Sequence, residues 1–406
     1  MQESKNRIIF HIDTNSAFLS WEAVERLKSG KREDLRNIPS IIGGDMESRH
    51  GVVLAKSIPA KKYNIKTGEP IIRALEKCPD LKIVSPNFKV YIKYSTQLME
   101  LLKKFSPSVQ KYSIDECFLE YTGMEKIYGE PLNMAHKIKD KIKRELGFTV
   151  NVGVGNNKLL AKMASDFKKP DYVHTLFEDE IKFKMWSLPI ENLFMVGKAT
   201  AEKLRQLNIN NIGDLAKYDL EIIKYKFKKH GVLIWEYANG IDESTVEQNR
   251  YEKIKGIGNS MTIPSDVKDR KTAYNILASL VETVAMRLRD SKSLCSSVSV
   301  SIKNNLFQKY SHQKKLSYST NSTERILKIS KDLFDEMWKG DHIRLLGIRV
   351  GHLCSDRTAQ VSFFDNDGIE KSMILDKTID DLKTKYGKNS IIRPSILSLD
   401  KNKKIK

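Results

Sequence analysis

The run Ile8-Ile9-Phe10-His11-Ile12 closes on Asp13, and Tyr112-Ser113-Ile114-Asp115-Glu116-Cys117-Phe118 carries an adjacent pair of carboxylates. Short apolar runs bounded by polar residues read as buried strands. That places Asp13 at a strand end and Asp115-Glu116 in a hairpin over residues 109–121. Successive side chains of a regular strand face opposite ways, so the pair serves one site only at a hairpin tip or an irregularity. A lone Asp is ordinarily a helix cap or the partner of a lysine. Three carboxylates at strand ends of a basic chain point elsewhere, to hard divalent cations held against an anionic substrate, because Mg²⁺ takes a few carboxylates together with phosphate oxygens. The chemistry expected is phosphoryl transfer.

Outward from these runs, residues 16–28 place Phe18, Trp21, Val24 and Leu27 near helical spacing, and residues 91–105 and 132–145 read as helices. Strands are expected near 148–154 and a helix over 156–167, so the first 175 residues alternate strand and helix around one sheet. Gly43-Gly44 and the prolines at 39, 59, 70 and 79 cut residues 23–85 into short pieces, the mark of a small inserted subdomain. Gly153-Val154-Gly155 is the end of a strand and not a nucleotide loop, for no Gly-x-x-x-x-Gly-Lys-[Ser/Thr] exists.

The 406 residues are too many for one ordinary core, and 40% hydrophobic with 30% charged residues suits a globular chain of several domains. A net charge of +19 implies a polyanionic partner, nucleic acid first, because lysines and arginines that neutralise phosphates release counterions. No stretch is apolar enough to span a bilayer and Met1-Gln2-Glu3-Ser4-Lys5 opens no signal peptide, so a cytoplasmic protein is expected. Cys78, Cys117, Cys295 and Cys354 are scattered, without a Cys-x-x-Cys pair, and the eight histidines show no i, i+4 pair. Neither a zinc site nor a disulfide framework is supported. His11 reads as structural.

Residues 189–239 are helical throughout, and Phe194-Met195-Val196-Gly197-Lys198 followed by residues 199–207 suggests a helix-hairpin-helix, which grips phosphate with backbone N–H groups. Polar residues 242–253 read as a linker. Beyond it come strand 254–263, helix 267–291, strands 296–303 and 312–319, helix 322–338 and strand 343–351, a βαββαβ domain carrying an excess of six positive charges over residues 241–357. Between Lys137 and Pro170 nine basic residues face three acidic ones, which fits either phosphate binding or a solvated helix face. The tail holds Gln360-Val361-Ser362-Phe363-Phe364 and an expected helix over 374–385.

Asp13-x-x-x-x-Phe18, Ser113-Ile114-Asp115-Glu116, and Gly153-Val154-Gly155-Asn156-Asn157-Lys158-x-x-Ala161-Lys162-x-Ala164-Ser165-x-x-x-Lys169-Pro170 together resemble the Y-family, lesion-bypass DNA polymerases. The resemblance covers roughly residues 7–360, and within the family it looks closer to the UmuC-like and Gram-positive branch than to the DinB type. It implies an α+β right-hand architecture. The palm, ferredoxin-like, is expected over 1–22 and 86–176, with small fingers over 23–85, an all-α helix-hairpin-helix thumb over 177–240, a linker over 241–253, a βαββαβ little finger over 254–357 and a tail over 358–406.

By the same resemblance Asp13, Asp115 and Glu116 are the catalytic, metal-binding carboxylates, joined by the Thr14 carbonyl, and two Mg²⁺ ions are the cofactor. Phe18 is the steric gate under the sugar, while Lys61 and Lys169 hold the triphosphate. The partners implied are primer–template DNA, a dNTP and the bacterial sliding clamp, the last through Gln360, Phe363 and Phe364, which read equally as an edge strand. The role implied is low-fidelity translesion synthesis in the SOS response to DNA damage, near the nucleoid. The tail of under 50 residues leaves no room for a proofreading domain. Four departures stand out. Ala17 replaces a bulky aromatic, Ala55 and Ile58 replace hydroxyl-bearing residues near the triphosphate, and Met195 replaces the first glycine of the thumb hairpin. A two-metal nuclease and a catalytically silent DNA-binding relative are the rival classes.

Overall fold

A computed structural model describes residues 7–44, 51–247, 254–355, 366–387 and 390–391, with the backbone alone for 366–373. The chain divides into two compact units, one on each side of residue 250.

The first unit is built on a five-stranded sheet. In chain order its elements are β1 (Ile9–Thr14), α1 (Ala17–Lys28), β2 (Ser40–Gly43), β3 (Val53–Lys56), α2 (Ile58–Lys61), α3 (Ile71–Lys77), β4 (Lys82–Val84), α4 (Phe88–Leu102), β5 (Val109–Lys111), β6 (Glu116–Glu120), α5 (Glu125–Tyr128), α6 (Pro131–Leu146), β7 (Val150–Gly155), α7 (Lys158–Ser165) and β8 (Val173–Leu176). The strand order is β5-β6-β1-β7-β8, so β1 lies in the centre, antiparallel to both neighbours. Alternation along these strands sorts the side chains by face. Phe10, Ile12, Cys117, Leu119, Val150, Val152 and Val154 join the core that α1, α4 and α6 close. His11, Phe118, Gly153 and Gly155 face the other way, toward α7. That helix lies so close to β7 that a Cβ on Gly153 would stand 1.9 Å from the Ala161 carbonyl oxygen. The Gly-x-Gly pair is therefore a packing device.

Helix starts follow their caps. Asn87 accepts from the Val90 N–H and Asn157 from the Leu160 N–H, so α4 begins three residues earlier and α7 two residues later than periodicity alone suggests. The segment cut up by prolines forms the three-stranded sheet β3-β2-β4 over a small core of Ile41, Val53, Ala60, Ile65, Ile71 and Ala74.

After β8 come α8 (Lys198–Arg205), α9 (Ile212–Lys217) and α10 (Leu220–Ala238), which Lys228 breaks with φ 57°. Met195 also adopts a left-handed φ of 69°. The hairpin keeps there the backbone form that glycine adopts without steric cost, although a methionine occupies the position. Residues 242–247, expected as linker, are docked. The Asp242 carboxylate accepts from the Leu159 N–H at 3.1 Å and the Thr245 carbonyl accepts from Lys158 Nζ at 3.1 Å. Asp242 thereby satisfies a free N–H at the start of α7.

The second unit comprises β9 (Gly256–Val267), α11 (Arg270–Asp290), β10 (Ser293–Asn304), β11 (Lys309–Thr320), α12 (Thr323–Met337) and β12 (Ile343–Ser355), the expected βαββαβ order. Its antiparallel sheet runs β11-β10-β12-β9, with Val298, Val300, Ile302, Leu346, Ile348 and Val350 packed under the helices. The tail helix α13 (Asn366–Tyr386) is longer than expected. It is held to this unit by Arg289, which pairs with Asp376 at 3.4 Å and Asp380 at 2.5 Å, and by Lys383, which pairs with Glu282 at 3.0 Å. Gln360, Phe363 and Phe364 lie outside the described residues. All four cysteines are free, and among the described residues no helix is long and apolar enough to cross a membrane.

Candidate active site

Asp13, the penultimate residue of β1, lies directly opposite Glu116, the first residue of β6. Asp115 precedes β6 in the bend of the β5–β6 hairpin, the irregular position that lets adjacent carboxylates act near one another. Ser113 shapes that bend. Its hydroxyl donates to Asp115 Oδ1 at 2.6 Å and accepts from the Asp115 and Glu116 N–H groups at 3.3 and 3.1 Å. The Asp115 carbonyl accepts from the Thr14 N–H at 3.0 Å, which ties the hairpin tip to the end of β1.

A cavity of about 540 Å³ opens here, and Asp13, Thr14, Phe18, Lys61, Asp115 and Lys169 all line it. Six of the seven expected residues are thus brought together. Glu116 is turned to its own partners, Lys162 Nζ at 2.8 Å and His11 Nε2 at 3.8 Å. Among the described residues no three carboxylate, imidazole or thiol groups form a ready-made metal cluster. The sequence suggested a closer trio. Like charges in a partly desolvated cleft separate unless cations neutralise them, and each carboxylate here has its own partner: Lys169 for Asp13, Ser113 for Asp115 and Lys162 for Glu116.

Burial pushes the Asp13 carboxyl up to about 6, against the pull of the Lys169 ammonium. Burial would also raise Glu116, but the nearby His11 ring and the bonded Lys162 ammonium outweigh it and hold that carboxyl down at about 2. His11 is wholly buried, which lowers its pKa, and its Nδ1 lies 2.8 Å from Ser165 Oγ. A buried Asp with an elevated pKa, lining the same cavity as a second carboxylate, is a hard-oxygen donor set. It fits a divalent cation.

Phe18 is braced from behind. Its ring stacks on Tyr91 at 4.6 Å and meets Phe88 edge-on at 6.0 Å, with Trp21 beyond at 6.3 Å. Lys169 also pairs with Asp166 at 2.7 Å, and Lys61 ends α2. Ala17, Ala55 and Ile58 line the same cavity, which is bare of hydroxyl groups at those three positions. Arg36 and Lys56 line it too and were not singled out from sequence. The basic helix α6 resolves differently, since Lys139 and Lys143 pair with Asp171 at 3.0 and 2.7 Å.

Residues 12–166 match the model of the impB/mucB/samB family, and residues 254–363 match that of its C-terminal domain. A DNA polymerase IV of Clostridium acetobutylicum is 50% identical over 97% of this chain and 98% of its own length, and one of Acetivibrio thermocellus is 37% identical over 96% and 98%. The chain belongs to the Y-family DNA polymerases of the impB/mucB/samB type. A solved chimeric Y-family DNA polymerase superposes with a TM-score of 0.73 over 86% of this chain and 99% of that one, at 23% identity. The DinB structure from Sulfolobus solfataricus reaches 0.53 over 85% and 98%. This Y-family chain thus has the multidomain α+β fold expected of it. These relatives carry the names DNA polymerase IV and DinB and lend no support to a placement nearer the UmuC-like branch.

Proposed function

We propose that the chain is a DNA-directed DNA polymerase for translesion synthesis, in which the primer 3′-hydroxyl attacks the α-phosphorus of an incoming dNTP and pyrophosphate leaves. The observation that carries this reading is one cavity that gathers Asp13, Asp115, Lys169 and Phe18 in a chain of net charge +19. Asp13 and Asp115, with the Thr14 carbonyl, would hold two divalent ions. When bound, such ions lower the pKa of an attacking hydroxyl and neutralise charge on the leaving oxygens. Lys169, now on Asp13, would turn to the triphosphate, with Lys61 lining the same cavity. Glu116 would stand on the primer side. Phe18 would lie under the sugar, and the Tyr91 stack behind it resists displacement by a 2′-hydroxyl.

The palm, fingers, thumb and little finger are assigned to the segments given above, and the basic βαββαβ unit would lie along the DNA backbone. Gln360, Phe363 and Phe364 are proposed to dock on the sliding clamp. A soluble, cytoplasmic enzyme acting at the nucleoid accords with this chemistry. Primer extension on a template with an abasic site tests the whole reading, with extension expected from the wild type and none from Asp115→Ala. Cleavage without extension would instead establish a nuclease. Loss of clamp pull-down in the Gln360, Phe363 and Phe364 triple alanine variant, with distributive synthesis intact, tests the docking peptide.

A further inference from the structure

Lys162 occupies an unusual place for a lysine. It lies on α7 and is only 8% exposed. Its ammonium bonds Glu116 Oε2 at 2.8 Å and sits over two aromatic faces, Tyr112 at 5.3 Å and Phe194 at 5.4 Å. Tyr112 belongs to the hairpin that carries Asp115 and Glu116. Phe194 comes from the helical segment after β8, where it stacks on Tyr237 of α10 at 6.0 Å and meets Tyr112 edge-on at 6.3 Å. Two rings from distant stretches of chain therefore close over one buried cation. A desolvated ammonium between ring faces binds a carboxylate more strongly than one in water. The same contacts leave it few other positions.

We propose that Lys162 is a positioning residue that fixes Glu116 by one oxygen, leaving the other for the reacting end of the primer, and that Phe194 transmits the placement of the helical segment to that carboxylate. This rests on the reading of Glu116 as the primer-side carboxylate. A carboxylate has two oxygens and about four acceptor sites, so one held oxygen still permits a second partner. Without the ammonium, Glu116 is free to swing toward any cation beside Asp13. With it, the carboxylate stays on its own side of β1. The dNTP side is served by other residues, Lys61 and Lys169, so the effect belongs to turnover and not to nucleotide affinity.

Three measurements test this. Lys162→Met, close in size but uncharged, is expected to lower kcat by about ten- to a hundred-fold, the cost of misplacing a reacting group by about 1 Å, with KM for dNTP unchanged. Lys162→Arg should recover part of the loss. Mn²⁺ binding to the free protein, followed by electron paramagnetic resonance, should tighten in Lys162→Met because a neighbouring positive charge is gone. A merely structural defect would weaken it. In a double-mutant cycle Phe194→Leu should slow turnover in the wild type and have no further effect on Lys162→Met. Additive losses, a raised KM for dNTP or weaker Mn²⁺ binding would each overturn the proposal. Glu116→Gln distinguishes its two foundations, since full activity in that variant would remove the primer-side reading itself.

Discussion

At the residue scale the cavity is governed by the burial of Asp13, whose desolvation outweighs the pull of the Lys169 ammonium paired with it. Its pKa, near 6 when folded and about 3.8 in an unfolded chain, means that the proton favours the folded state. The stabilisation is complete below pH about 3.8 and disappears as pH rises through about 6. A bound cation needs the ionised carboxylate, so cation binding at pH 5 should release a proton and at pH 8 should release none. Calorimetry in buffers of contrasting ionisation heat reads this directly, and equal heats in both buffers at pH 5 would refute the assignment. Glu116 has the opposite sign. Its pKa is held at about 2, so its contribution is present above pH about 4.5 and is lost as pH falls toward 2. Phe18→Ala removes a ring braced by Tyr91 and Phe88, and ribonucleotide incorporation relative to deoxyribonucleotide should rise by at least about ten-fold in single-turnover assays. That Asp13, Asp115 and Phe18 share one cavity was legible in the sequence because their neighbours form motifs. Lys162 is only one position of such a motif. The rings that bury it lie 50 residues upstream and 32 downstream, and no local pattern announces such an encounter.

At the element scale the critical contact is α7 on β7. Gly153→Ala puts a methyl group onto the Ala161 carbonyl, and backbone cannot step aside as a flexible side chain can. The helix must lift, at a cost of roughly 3 kcal/mol in denaturant unfolding, the upper range for overpacking. A loss below about 1 kcal/mol would show that the sheet and helix accommodate it. Because α7 carries Lys162 and leads into Lys169, the same variant should also lose activity beyond what its stability explains. Most elements were legible from periodicity and punctuation, and the strand–helix alternation of both units follows from it. The boundaries moved where a single side chain decided them, as with Asn87 and Asn157. The docking of residues 242–247 was hidden because Asp242 finds its partner on a helix more than 80 residues earlier.

At the scale of the whole molecule the strand order of each sheet could not be read from the chain alone, since it depends on which hydrophobic faces meet. The second unit shows the same limit. Its tail helix was expected, but its attachment through Arg289 to Asp376 and Asp380 depends on a register that only packing sets. Truncating Arg289 to Ala leaves two carboxylates against the βαββαβ unit without their cation. The helix should detach, seen as proteolytic cleavage within residues 374–387 at protease levels that spare the wild type, while the preceding sheet stays resistant. Equal resistance of both variants would mean that Lys383 and Glu282 suffice. The turn at residues 112–116 has a consequence on this scale as well. Asp115, proposed for the cations, Glu116, proposed for the primer, the serine that shapes the bend and the ring that covers Lys162 all fall within five consecutive positions. An insertion or deletion of one residue there would displace all four roles at once. The turn can drift by substitution, but its length is closed to change.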